Sequence, residues 1–161
     1  MSSILKKKYH PPDPPESGDD SRYGGMHCRI ALLREKEQTK TVSITGPDQV
    51  YELVKDEIAI SDREVLIVLL LSTRLTLVGV ETVAIGSLNT CSVPARELFK
   101  GAILANAASI VLCHNHPSGD LEPSPSDIEL TRNMARCGQM LGINIRDHVI
   151  VSPKGYRSIP F

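Results

Sequence analysis

No apolar run in this chain approaches the ~20 residues needed to cross a bilayer. The longest is Val65–Leu71. The first residues, Met1-Ser2-Ser3-Ile4-Leu5-Lys6-Lys7-Lys8, lack the apolar stretch of a secretory signal. A broad basic field is missing too. The 18 Lys and Arg are matched by 19 Asp and Glu, for a net charge of −1, so general electrostatic gripping of nucleic acid is not expected. The four cysteines, at 28, 91, 113 and 137, form no close pair and no zinc-type spacing. They read as reduced, small apolar residues of a cytoplasmic protein. No internal repeat is found. What is present is ordinary for one soluble domain: 161 residues, 41 % hydrophobic and 23 % charged.

The chemistry gathers at His114-Asn115-His116. Two histidines one residue apart cannot share a helix face, but on a strand they point the same way, about 6.5 Å apart at roughly 3.3 Å per residue. The pair can chelate one zinc, each giving a nitrogen at about 2.0–2.1 Å. The apolar run before it, Ser109 to Cys113, reads as a buried strand, so the histidines emerge at a carboxyl-terminal strand end, where α/β sites gather. Asp127 is the nearest credible third ligand. It lies in the first turn of a helix that begins after a Pro- and Gly-rich loop. Two histidines and one carboxylate leave a fourth position open for water, the pattern of a catalytic zinc rather than a structural one. A plainer reading stands beside it. Ser124-Pro125-Ser126-Asp127 is a good helix start, with Ser124 as N-cap and Asp127 as its acid.

Along the chain, residues 1–25 are rich in Pro, Gly, Ser, Asp and Lys and read as a disordered tail. One ordered domain is expected over 26–161. Strands are expected near 29–34 and 40–44, followed by a helix over 47–59. The run 64–71 reads as a strand covered on both faces, with an antiparallel neighbour over 75–85. A second helix opens near Ser92-Val93-Pro94, with Leu98, Phe99, Ala102, Ile103 and Ala107 inward. The strand bearing the histidines comes next. A helix over 125–141 follows, capped by Gly142 and facing inward through Ile128, Thr131, Met134, Ala135, Gly138 and Leu141. A strand over 143–151 and a short final segment complete the chain. The sum is an α/β sandwich: a mixed sheet of five or six strands with three helices.

A hydrolytic zinc site also needs a group to take a proton from water and deliver it to the leaving amine. Glu64, Glu81 and Glu97 are the candidates. Glu64 opens the most buried strand, at an apolar boundary that suits a shuttling acid. Glu97 suits a helix first turn, and Glu81 has no such setting. A glutamate beside Arg63 is also a common exposed pair, so the choice of Glu64 from these residues is narrow.

Glu64, His114-Asn115-His116, Ser124 and Asp127 together resemble the JAMM (MPN+) metalloprotease pattern. The closer resemblance is to the RadC family. It is carried by Arg63-Glu64-Val65, Leu104-Ala105-Asn106-Ala107-Ala108, His114-Asn115-His116-Pro117-Ser118-Gly119-Asp120, Asp127-Ile128-Glu129-Leu130-Thr131 and Asp147-His148-Val149-Ile150, within residues 27–161. It implies a cytidine-deaminase-like JAB/MPN fold holding one zinc. His114, His116 and Asp127 would be ligands, Glu64 the general acid/base, and Ser124 an oxyanion or water partner. The implied activity is cleavage of peptide or isopeptide bonds. Asp120 and Asp147-His148 are typical of the family but are read as non-ligands, the latter as a supporting or structural pair. One departure is the N-terminus, where the helix-hairpin-helix region of many relatives is replaced by the Pro-rich tail, as in short forms.

The runner-up function is a DNA-repair or recombination accessory protein with a structural zinc, which leaves direct nucleic-acid binding open. A nuclease reading of His-Asn-His fails because such sites spread over a longer ββα unit. Base deamination needs a Cys-x-x-Cys pair that the chain lacks. The segment 119–124 is a flexible loop that could hold the site inactive. The substrate beyond a peptide or protein, and the oligomeric state, are not written in the sequence.

Overall fold

The computed structural model describes residues 41–86 and 93–161. Among these residues, three helices and five strands follow in the order α1 (Pro47–Ile58), β1 (Val65–Leu71), β2 (Leu77–Ile85), α2 (Ala95–Leu104), β3 (Ser109–Asn115), α3 (Pro125–Leu141), β4 (Asn144–Ser152) and β5 (Gly155–Ser158). The strands form one mixed sheet in the order β2-β1-β3-β4-β5. Only the β3–β4 pair is parallel, because α3 carries the chain back across the sheet between them. The result is the α/β sandwich expected of the JAB/MPN fold.

The continuous apolar run of β1 has a direct cause: helices cover both faces of the sheet. Alternate residues go to opposite cores. Ile67, Leu69 and Leu71 join Val111, Cys113, Val149 and Val151 under Val50, Val54 and Ile58 of α1. Leu66, Val68 and Leu70 join Ile110, Leu112 and Ile145 with Leu98, Phe99 and Ala102 of α2 and Met134 of α3. Gly138 lets α3 sit this close, since a Cβ there would lie 2.4 Å from the Ile143 carbonyl oxygen and 3.3 Å from Phe99 Cζ.

The expected elements differ from the observed ones in a few places. The expected tail (1–25) and the strand at 29–34 lie outside the described residues. Of the strand expected over 40–44, the described part from 41 onward holds a single bridge, Ser43 to Thr76, because Gly46-Pro47 already turns the chain into α1. The second strand starts at Leu77, since Leu75 sits in the turn at φ 59°. Helix α2 begins at Ala95 and ends before Asn106, whose φ of 51° breaks the helix. Ala107 is therefore buried from a loop, and Ile103 is 53 % exposed. At the end of α3, Leu141 is exposed as well. Strand β4 runs one residue later than expected at each end.

Candidate metal centre

Three pieces of backbone converge at one end of the sheet. His114 is the penultimate residue of β3, and His116 follows just beyond its end. Strand β1 runs antiparallel beside β3 with Leu66 opposite His114. Carried two residues further, that register sets Glu64 opposite His116. Asp127 enters from above in the first turn of α3. The potential ligand atoms of Glu64, His114, His116 and Asp127 all lie within 4.8 Å of one another. Glu81 and Glu97, the other candidate bases, are not in this cluster. Among the described residues it is the only such group of His, Cys, Asp and Glu.

The helix-start reading of Asp127 holds, and the same carboxylate also faces both histidines. Oδ2 accepts from the Ser124 amide at 2.7 Å and from the Ser124 hydroxyl at 2.6 Å, while the Asp127 amide donates to Ser124 Oγ at 3.2 Å. This is a capping box with aspartate in the third position. It pins the carboxylate and leaves Oδ1 turned toward His114, 3.6 Å from Nε2. Burial pushes the Asp127 carboxyl up, but hydrogen bonds from His116 and Ser124 and the nearby His114 hold it well below the usual carboxylate range. It is an anion at any physiological pH.

The tautomers follow from one carbonyl. Thr131 Oγ1 donates to the Asp127 backbone oxygen at 2.6 Å, so the hydroxyl must accept from His148 Nδ1, also at 2.6 Å. His148 Nε2 is then a bare acceptor, and His114 Nδ1–H donates to it at 2.8 Å. On the other histidine, Nδ1–H donates to the Asp120 carbonyl at 2.9 Å. With His116 neutral, both Nε2 atoms therefore present lone pairs to the cluster, with partners behind them of the kind that orient metal-bound histidines; only protonated His116 donates from Nε2 to Asp127. Burial lowers His114 to about 4 and holds the fully buried His148 well below the ordinary histidine value. His116 is raised, chiefly by its hydrogen bond to Asp127 and against burial.

The spacing fits a cation. Two nitrogens each about 2.05 Å from a tetrahedral ion are separated by about 3.3 Å. The His114 and His116 Nε2 atoms are 3.1 Å apart, and the His116 Nε2 to Asp127 Oδ2 distance is 3.4 Å. Facing lone pairs this close repel unless a proton or a cation lies between them. The donor set of two imidazoles, carboxylate oxygens and a half-buried glutamate suits a divalent ion such as zinc.

A model of the RadC-like JAB domain matches residues 44–160. The chain belongs to the RadC family. It is 43 % identical over 131 residues to a UPF0758 protein of Desulforudis audaxviator, covering 81 % of this chain and 56 % of the relative. A UPF0758 protein of Caldanaerobacter subterraneus is 43 % identical over 114 residues, 71 % of this chain and 49 % of that one. One of Clostridium beijerinckii is 44 % identical over 118 residues, 73 % and 52 % respectively. The chain thus spans about half the length of the curated relatives it matches. This RadC-like JAB domain has no helix among its described residues long and apolar enough to cross a membrane.

One residue behind the centre, Thr131, is not readable from the sequence in this role. Helical period marks Thr131 only as an inward position. His148 has the supporting position expected of it, but Asp147 does not share it. His148 backs His114, whereas Asp147 accepts from the His148 amide and the Ser158 hydroxyl, both at 2.8 Å. The segment 119–124 is tied down rather than loose, through the Asp120 carbonyl, the Glu122 amide on Asp120 Oδ1 at 3.0 Å, and the Glu122–Arg157 ion pair.

Proposed function

We propose that this domain is a zinc-dependent hydrolase of amide bonds, acting on a peptide or isopeptide linkage of a protein substrate. The observation that carries the reading is the convergence of two lone-pair nitrogens, an ionised carboxylate and a separate half-buried glutamate within 4.8 Å. His114, His116 and Asp127 would hold the ion. Zinc, when bound, supplies a Lewis acid and water whose pKa is lowered to about 7.

The chain's own groups do the rest. Glu64 stands beside the ligand nitrogens as the proton carrier, taking a proton from water and returning it to the leaving nitrogen. Ser124 releases its hydroxyl from Asp127 Oδ2 to donate to the oxyanion of the tetrahedral intermediate. His148 and Thr131 keep His114, and the Asp120 carbonyl keeps His116, in the ligating tautomer. The ionised Asp127 offsets part of the ion's charge.

Elemental analysis of the purified wild type and of His116→Ala and Asp127→Ala tests the site. About one zinc per wild-type chain with clear loss in both variants is expected. A folded wild type that takes up no zinc would end the reading and favour a binding role. Turnover is tested on peptide and isopeptide panels, with Glu64→Gln keeping the metal and losing activity. If that variant loses zinc instead, Glu64 is a ligand and not the proton carrier.

A further inference from the structure

Asn115 lies between the two histidines but, by strand alternation, faces the opposite side of the sheet. It is fully buried, and its side-chain hydrogen bonds go to the segment around Glu64. The Val65 amide donates to Oδ1 at 2.8 Å. Nδ2 donates to the Arg63 carbonyl at 3.0 Å and to the Ser61 carbonyl at 3.3 Å. Arg63 and Val65 flank Glu64 directly, and the Glu64 carbonyl accepts from the Gly86 amide at 2.9 Å. The glutamate's backbone is therefore fixed at three points, two of them by one side chain.

We propose that Asn115 is a positioning residue that sets Glu64 at a fixed place relative to His114 and His116. The inference rests on the reading of Glu64 as the proton carrier. Its physical basis is that the reference point and the object share one rigid unit. Asn115 is covalently between the two histidines, and its amide spans from β3 to the peptides on both sides of Glu64. Only a short side chain carrying an acceptor and two donors can make this bridge. Aspartate has no donor when ionised, and serine is too short to reach both peptides. A displacement of about 1 Å at a proton carrier is enough to cost on the order of 100-fold in rate, so such a clamp has a function beyond folding.

The test uses cobalt(II) in place of zinc and azide as an anionic probe, followed by visible absorption, and needs no substrate. A carboxylate beside the open position repels an anion. Glu64→Gln is expected to tighten azide binding about tenfold, equivalent to roughly 1.4 kcal/mol. Asn115→Ala should keep one cobalt per chain and tighten azide about threefold, because Glu64 is no longer held near the ion. The double variant should match Glu64→Gln alone. Asn115→Ala binding azide like the wild type, losing cobalt, or adding its effect to that of Glu64→Gln would each overturn the proposal. No change in Glu64→Gln itself would instead remove the reading of Glu64, and this inference with it. Asn115→Ser carries the same comparison if the alanine variant fails to fold.

Discussion

Replacing Thr131 with valine is the sharpest test of the hydrogen-bond chain behind the centre. The substitution keeps the branched shape and removes one oxygen that both accepts from His148 Nδ1 and donates to the Asp127 carbonyl. With no acceptor left, the His148 proton has two choices. It can stay on Nδ1 as an unsatisfied buried donor, which costs about 1–3 kcal/mol. Or it can move to Nε2, which forces His114 Nδ1 to become the acceptor and puts the His114 proton on Nε2, where the metal should bind. Either way the loss falls on metal binding or on stability. The range of 1–3 kcal/mol converts to about 5- to 150-fold in affinity, in line with the 10- to 100-fold typical of lost partners behind metal-bound histidines. Chelator competition with zinc at pH 7 reads the affinity, and nitrogen NMR of the imidazoles reads the tautomer. Thr131→Ser, which keeps the oxygen, should bind zinc nearly as the wild type does. Unchanged zinc affinity and melting temperature in Thr131→Val, or an equal loss in the serine variant, would refute the tautomer chain.

Other consequences are accessible to simple measurements. In the metal-free protein, His114 is lowered from 6.5 to about 4, so the folded state binds fewer protons between those values. Its contribution is present above pH 6.5 and lost as pH falls toward 4, with His148 acting in the same direction and the raised His116 against it. The His114 share at pH 5 is about 2 kcal/mol, so the urea midpoint should be lower at pH 5 than at pH 7.5; a midpoint that stays level or rises would contradict the buried neutral dyad. Gly138→Ala should destabilise by roughly 1–3 kcal/mol through overlap with the Ile143 carbonyl, after about 1 kcal/mol of helix propensity is regained; an unchanged melting temperature would mean α3 does not pack so closely. Ser124→Ala should lose about 1 kcal/mol of helix capping, and a fall in turnover well beyond any loss of bound zinc would place its hydroxyl on the oxyanion. If turnover tracks zinc occupancy alone, Ser124 is only a cap.

How much of this was readable from sequence depends on whether the signal was local. Helix α3 was legible to the residue because its ends are written in the chain: Ser124-Pro125 at the start, and Gly142, at φ 70°, past the end. Strand β1 was legible because a sheet covered on both faces needs an uninterrupted apolar run. Ile103 and Leu141 were misplaced because period alone marks a face and does not say how far the neighbouring layer extends beneath it. The candidate ligands were visible as a motif, with the choice of Glu64 leaning on family resemblance. The register Leu66 opposite His114 supplies what the residues alone did not, because it brings Glu64 alongside His116 across fifty residues of chain.

The supporting residues were illegible for a different reason, and it bears on how the site works. Thr131 and Asn115 carry no chemistry of their own; each matters only through the backbone group it meets. Thr131 meets the carbonyl of Asp127, which makes the hydroxyl one-directional and fixes two histidine tautomers in series. Asn115 meets the peptides flanking Glu64. The candidate ligands and the backbone around Glu64 are thus each held from the protein side by a neutral group, leaving both Nε2 atoms and Asp127 Oδ1 turned toward the centre. An arrangement held from behind in this way needs no rearrangement to accept an ion. Metal binding should therefore leave the melting cooperativity and the amide spectrum of the sheet nearly unchanged while raising the melting temperature by mass action. A broad shift of amide resonances across β1 and β3 on zinc addition would show that the site is assembled by the ion, and that the hydrogen bonds behind it do not preform it.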